Sequence, residues 1–301
     1  MENEIEFINQ FRKFPDRVTI ELTNKCNLVC NCCPRKFMKT GLGVMEKEVF
    51  EKVIDECAEH LPVDLVPFYR GESLLHKHFN DFIRYAKAKG LGPIQFTTNA
   101  TLLNEKMTER ILSSGIDFIS FSLDTLDKES YDKNRVGADY NTVVNNVLHF
   151  IAQNNKLNPR LRTQVSSVNR KEYYSFQQRF IEYWKSKVDF VRIYEEHSRN
   201  GKFGSTENGI FFSKRLPCKK LFADMVIYWN GDVAICNHDW NRTDKLGNVK
   251  CTNLYDIYNS KEYNSVREHH ISGDLSEEAL CNGCSHWQEN YLPEKLIGEI
   301  F

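Results

Sequence analysis

The chain has 301 residues, with 40 Lys and Arg against 41 Asp and Glu and a formal net charge of -1. Such a length buries a full core and leaves room for a barrel-sized domain with a smaller appendage, while near neutrality gives no field to draw nucleic acid or an anionic membrane. The opening MENEIEFINQFRKF lacks the regions of a secretory signal and no run of about eighteen apolar residues follows, so a cytoplasmic protein is expected, whose ten reduced cysteines serve as ligands, nucleophiles or buried apolar groups.

Strand-length apolar runs alternate with helix-period stretches up to about residue 195. The predicted strands are VTIEL (18–22), VDLVPFY (63–69), PIQFTT (93–98), DFISFSL (117–123), RLRTQVSS (160–167) and VDFVRIYE (188–195). Between the first two lies EKEVFEKVIDECAEH, where Val49, Phe50, Val53, Ile54 and Cys57 recur at three and four, the period of a half-buried helix. Six strand-helix units in a row predict an α/β fold, a parallel sheet wrapped as a partial (β/α)6 barrel, short of the eight units that close the commonest kind. Beyond 196, HSRNGKFGSTENG is polar and glycine-bearing, and a boundary is expected near residue 200, giving units 1–200 and 201–301. DMVIYWNGDVAIC then predicts a hairpin about Asn230-Gly231, followed by two helical stretches, NLYDIYNS and KEYNSVREHH.

The loop leaving the first strand, TNKCNLVCNCCPRK, holds Cys26, Cys30 and Cys33 as C-x3-C-x2-C, at the strand end where parallel sheets place their chemistry. Three thiolates from one loop can bind three irons of a cubane and leave the fourth open to a ligand, whereas structural zinc takes four ligands, commonly as two Cys pairs. Cys32 is the surplus thiol. A second set, Cys218, Cys236, Cys281 and Cys284, suits structural zinc or one iron–sulfur cluster equally by spacing. Cys57 reads as a buried apolar residue, and Cys251 as either a packed thiol or a hydrogen-atom donor.

The triplet after the first strand of a six-unit α/β chain is similar to the signature of the radical S-adenosylmethionine (SAM) superfamily, over residues 18 to about 195. The resemblance implies a SAM-binding 4Fe-4S cluster on Cys26, Cys30 and Cys33, and cleavage of SAM to methionine and a deoxyadenosyl radical. It also implies reduced flavodoxin or ferredoxin as electron donor. YRGESLLH resembles the family's Gly-Gly-Glu-Pro motif, with only Gly71 and Glu72 matching, since Arg70 and Ser73 stand in the outer places. TTNATLL lies where members carry Thr-Asn-Gly and nominates Asn99; FSLD nominates Ser122 and Asp124 for the SAM ribose, and the fifth strand nominates Gln164.

C-x12-G-x4-C from Cys218, followed by a C-x2-C pair, looks like the auxiliary-cluster domain called SPASM or, when shorter, twitch. Position 290 is Asn290 and no cysteine follows Cys284, so one auxiliary 4Fe-4S cluster is expected and not two. Only 25 residues precede Cys26, few for a leader-peptide recognition domain. A small carbohydrate or cyclitol substrate is therefore expected, with oxidation of a secondary alcohol as the reaction. The alternatives are epimerisation with Cys251 returning a hydrogen, a peptide-modifying maturase, and a zinc-stabilised module without catalysis. Arg192, Glu195, Glu196 and His197 are the base candidates, and Tyr228, Trp229, Trp240 and Trp287 could stack on a sugar ring.

Overall fold

The computed structural model describes residues 7–8, 10–195, 214–241, 245–291 and 298–300. Its spine is six parallel strands: β1 (Arg17–Ile20), β2 (Asp64–Val66), β3 (Gln95–Thr98), β4 (Phe118–Ser122), β5 (Arg162–Asn169) and β6 (Phe190–Glu195). β1 and β2 pair in parallel, as do β3 with β4, β4 with β5 and β5 with β6. A single parallel bridge between Leu65 and Ile94 joins the two groups, so the six run in chain order around an incomplete barrel.

The helices cover the outer face. α1 (Lys47–Ala58) buries Val49, Phe50, Val53, Ile54 and Cys57, the stripe its sequence period selects. Phe50 stacks on Phe82 of α2 (Phe79–Ala88), with centroids 4.0 Å apart. Helices α3 (Glu105–Leu112), α4 (Lys128–Asn134) and α5 (Tyr140–Leu157) start at Asn104, Asp127 and Asp139, whose side chains accept from the third backbone amide onward. α6 (Tyr174–Trp184) buries Trp184 completely.

The carboxyl-terminal segment is not a separate sheet. β7 (Asp224–Ile227) lies parallel to β1, with Arg17 opposite Asp224 and Ile20 opposite Ile227, so it adds a strand to the barrel edge. β8 (Asp232–Ala234) returns antiparallel after a turn in which Gly231 takes φ +89°, and β9 (Lys245–Asn248) pairs with β8. Two helices follow, α7 (Leu254–Tyr258) and α8 (Lys261–Ser272). At the opposite edge, β10 (Gly298–Ile300) pairs antiparallel with β6. The boundary expected near residue 200 falls outside the described residues.

Among the described residues no helix is long and apolar enough to cross a membrane.

Candidate active site

The cysteine loop is tied down on three sides. Val29 and Cys30 form a two-residue antiparallel ladder with Arg135 and Val136. Arg35 Nη1 donates to the Leu28 carbonyl at 3.1 Å, and the Cys33 amide to the Cys30 carbonyl at 3.1 Å. At the loop's base, Thr23 Oγ1 donates to the Gly43 carbonyl and Asn24 Nδ2 to the Gly41 carbonyl, 2.6 and 2.8 Å. Burial pushes the Cys26 and Cys32 thiols up and Cys30 up to about 12, so each resists ionising until a positive centre arrives.

Cys26, Cys30, Cys32 and Cys33 line one cavity of about 660 Å³ with Gly71, Glu72, Asn99, Ser122 and Asp124. The rim contacts explain the motif after β2. The Glu72 amide donates to the Lys25 carbonyl at 2.9 Å, and its carboxylate accepts from Leu74 N, Thr98 Oγ1 and Asn99 N at 3.2, 2.9 and 2.9 Å. Glu72 thus staples the end of β2 to the end of β3. Gly71 is required by closeness: a Cβ there would lie 2.3 Å from the Thr23 carbonyl oxygen and 2.5 Å from that of Lys25. Asn99 Nδ2 lies 3.9 Å from Cys26 Sγ and 3.0 Å from Asn27 Oδ1, linking the third strand's loop to the thiol loop. Ala100, next along, takes φ +59°, the left-handed conformation for which the family motif supplies glycine.

Two nominations need correction. Gln164 is not at the rim. Its Nε2 donates to Ser120 Oγ at 2.9 Å, and it lines a second cavity of about 350 Å³ inside the barrel. β5 runs on to Asn169, two residues past the expected end, so the rim position in register with Ser122 is Ser166. Cys251 sits in an exposed turn after β9, its amide bonded to the Asn248 carbonyl, and does not line the cavity; the turn points it to solvent, which removes it as a hydrogen donor there.

Asp124 lines the cavity at φ +65°, but its Oδ2 is held by Arg135 Nε and Nη2 at 2.7 and 2.6 Å. Its first partner is therefore Arg135, which also flanks Cys30 and Cys32. Arg192 lines the cavity; Glu196 and His197 lie outside the described residues. Trp240 lines the same wall, Tyr228 lies under Arg70, and Trp287 lies under Arg215.

The second set of thiols gathers beside this cavity. Each of Cys218, Cys236 and Cys281 feels the charge of other members of the set, and burial is the main cause that raises Cys218 to about 11, Cys236 to about 12 and Cys281 further. The amides of His238 and His286 donate to Cys236 Sγ and Cys284 Sγ at 3.3 and 3.4 Å, and both residues line the cavity. Asn290 accepts from Cys218 Sγ at 3.7 Å. Among the described residues no three His, Cys, Asp or Glu side chains close on a single ion, whereas a cubane takes its thiolates at separate irons. Two groups of half-buried thiols with N–H donors beside their sulfurs fit two clusters by their chemistry.

Arg70, which breaks the family pattern, is the residue that sequence reasoning passed over. Its Nε and Nη2 donate to Glu21 Oε1 and Oε2 at 2.5 and 2.7 Å, and its Nη1 to the Trp240 carbonyl at 2.5 Å. Its guanidinium also faces the Tyr228 ring at 4.4 Å, so one side chain ties β1 and the β2 loop to the carboxyl-terminal segment. A buried arginine needs a carboxylate, and Glu21 inside an apolar strand is the signal that could have announced the pair.

Comparison with known proteins agrees with this geometry. Residues 20–156 match the Radical SAM superfamily and residues 218–285 an iron-sulfur cluster-binding domain of SPASM type. The tungsten-containing aldehyde ferredoxin oxidoreductase cofactor-modifying protein of Pyrococcus furiosus is 31% identical over 36% of this chain and 30% of its own length. The GTP 3',8-cyclase of Chlorobaculum tepidum is 31% identical over 42% and 38%. The matches thus span less than half the length of these curated relatives. Among solved structures, BtrN in complex with AdoMet and 2-DOIA aligns with a TM-score of 0.60 at 17% identity, over 90% of this chain and 92% of that one. Streptococcus suis SuiB bound to its precursor peptide SuiA gives 0.68 at 16% identity, over 88% and 70%. The cluster-binding match displaces the zinc reading. With its partial barrel and paired thiol sets, this chain carries a radical SAM domain over residues 20–156 and, after it, a SPASM-type iron–sulfur cluster-binding domain over residues 218–285.

Proposed function

We propose that the protein oxidises a secondary alcohol of a small polyhydroxylated molecule by radical chemistry in the cavity between the two thiol sets. One observation carries this reading: the cavity has Cys26, Cys30 and Cys33 in its wall together with His238 and His286, whose amides hold the second set. Bound there, SAM and the SAM-binding cluster would supply a hydrogen-abstracting radical, and the auxiliary cluster an acceptor for the second electron of a two-electron alcohol oxidation whose proton passes to solvent.

The chain's own residues then hold and orient. Cys26, Cys30 and Cys33 would take the SAM cluster, and Cys218, Cys236, Cys281 and Cys284 the auxiliary one. Gly71 leaves room for the Thr23 and Lys25 carbonyls at the base of the cysteine loop, while Glu72 and Asn99 fix the rim loops against that loop. Ser122 and Ser166 present hydroxyls where a ribose needs partners. BtrN, which shares the fold over 92% of its length, was solved with the small molecule 2-DOIA and is the precedent for a small substrate, as peptide-bound SuiB is for the alternative of a peptide.

The test is anaerobic reconstitution of the wild type and a Cys26→Ala, Cys30→Ala, Cys33→Ala variant. Two cubanes require about eight irons in the first and about four in the second, with reductive formation of 5'-deoxyadenosine confined to the first. Zinc in place of iron, or equal iron in both proteins, refutes the assignment.

A further inference from the structure

Among the described residues six Lys and Arg side chains line the cavity, and five of them have a carboxylate or thiol beside them. Arg17 pairs with Asp64 at 3.2 Å, Arg70 with Glu21 and Arg135 with Asp124. Arg35 stands beside Cys26, and Lys220 beside Cys218 and Cys236, where each favours the thiolate. Arg192 is the sixth. Among the described residues it has no carboxylate within ion-pair distance. Its Nε is buried without a hydrogen-bond partner, and its guanidinium rests 5.2 Å from the Tyr194 ring centroid. Among the described residues two carboxylates line the cavity, and both are already engaged, Asp124 by Arg135 and Glu72 by three donors.

Arg192 lies opposite Ser166 in the β5–β6 register, and Ser166 opposite Ser122, so it occupies the rim layer of the barrel. A half-buried guanidinium left without an anion is costly, and its planar fork matches an oxyanion in shape. A cationic amine at this wall would be repelled.

We propose that Arg192 receives an oxyanion of the substrate, a phosphate or a carboxylate, which makes the substrate an acidic polyol and not an aminocyclitol. This rests on the alcohol-oxidation reading of the same cavity. The anion anchors the molecule on the β6 side and leaves its carbinol carbons facing the cysteine loop. Arg192 therefore acts as a specificity-determining residue and not as the base.

The experiment uses the reconstituted protein saturated with SAM. Inorganic phosphate, glucuronate and neutral glucose are titrated by equilibrium dialysis against wild type, Arg192→Gln and Arg192→Lys, with SAM affinity, iron content and reductive SAM cleavage read on the same samples. Phosphate or glucuronate should bind and glucose should not. Arg192→Gln should weaken that binding about ten-fold to a hundred-fold, as for a charge-assisted hydrogen bond, with partial recovery in Arg192→Lys and SAM affinity unchanged. Phosphate alone or glucuronate alone identifies the anion. Binding of neither, or equal binding to Arg192→Gln, overturns the inference. A parallel loss of SAM affinity in Arg192→Gln also overturns it, since the guanidinium would then hold the SAM carboxylate. Loss of iron or of SAM cleavage in the wild type would instead defeat the underlying functional reading.

Discussion

Replacing Arg70 by Met should test whether one buried ion pair joins the barrel to the cluster-binding segment. Both side chains of the Arg70–Glu21 pair are fully buried, with two bonds of 2.5 and 2.7 Å between them. Without Arg70 the Glu21 carboxylate keeps, among the described residues, the Trp229 amide at 3.3 Å, and the Trp240 carbonyl and Thr40 hydroxyl lose their bonds to the guanidinium. Breaking one side of such a pair costs about 3–5 kcal/mol, a large share of the roughly 5–15 kcal/mol that holds a domain together. Replacing both members, Glu21→Leu with Arg70→Met, removes the stranded charge and should cost less than either single change. Urea unfolding of the four proteins, followed by circular dichroism, gives the coupling energy. If the double variant loses the sum of the singles, or each single loses under about 1 kcal/mol, the pair does not couple the two segments as the geometry requires.

Four other perturbations follow from the rim and the thiol sets. Gly71→Ala should lower SAM affinity and stability together, by about 1–3 kcal/mol of unfolding free energy, because its Cβ meets two backbone carbonyls that cannot swing aside; unchanged calorimetric SAM binding would count against a tight rim. Glu72→Gln should cost about 1–3 kcal/mol, since one face of the amide would set an N–H against a backbone or hydroxyl donor, and a thermal melt matching wild type would contradict it. His270 is held down to about 4 by burial and then by Arg215, while its Nδ1 accepts the Cys218 amide at 3.3 Å. A folded pKa below the unfolded value of about 6.5 means that the unfolded chain binds more protons between the two. Stability should therefore be whole above about pH 6.5 and fall by about 3 kcal/mol towards pH 4, and His270→Gln should flatten that slope in pH-dependent urea titrations. Finally, burial holds Cys30, Cys218 and Cys236 near 11 to 12, so loading iron must displace thiol protons. Iron uptake should strengthen from about pH 7 to pH 9 with measurable proton release, and pH-independent uptake would mean the thiols were ionised beforehand.

The strand-helix alternation and the cysteine spacings were legible in the sequence because both are local. The α1 stripe from Val49 to Cys57 repeats with the helical period, and the triplet at Cys26, Cys30 and Cys33 lies within one loop, so neither depends on distant chain. Gly71, Glu72, Asn99 and Ser122 could be named because a parallel strand delivers its end to the same rim whatever its neighbours do. Gln164 failed at that step: where β5 ends is decided by pairing with β4 and β6, and this carried the rim on to Ser166. Only the tertiary structure could place β7 against β1, turn Cys251 to solvent, bind Asp124 to Arg135 and close Arg70 on Glu21 across 49 residues. Charge pairing and burial are properties of residues brought together by the fold, and Arg192, which the sequence offers only as one of four base candidates, acquires its meaning from the cavity wall it shares with groups whose charges are already spent.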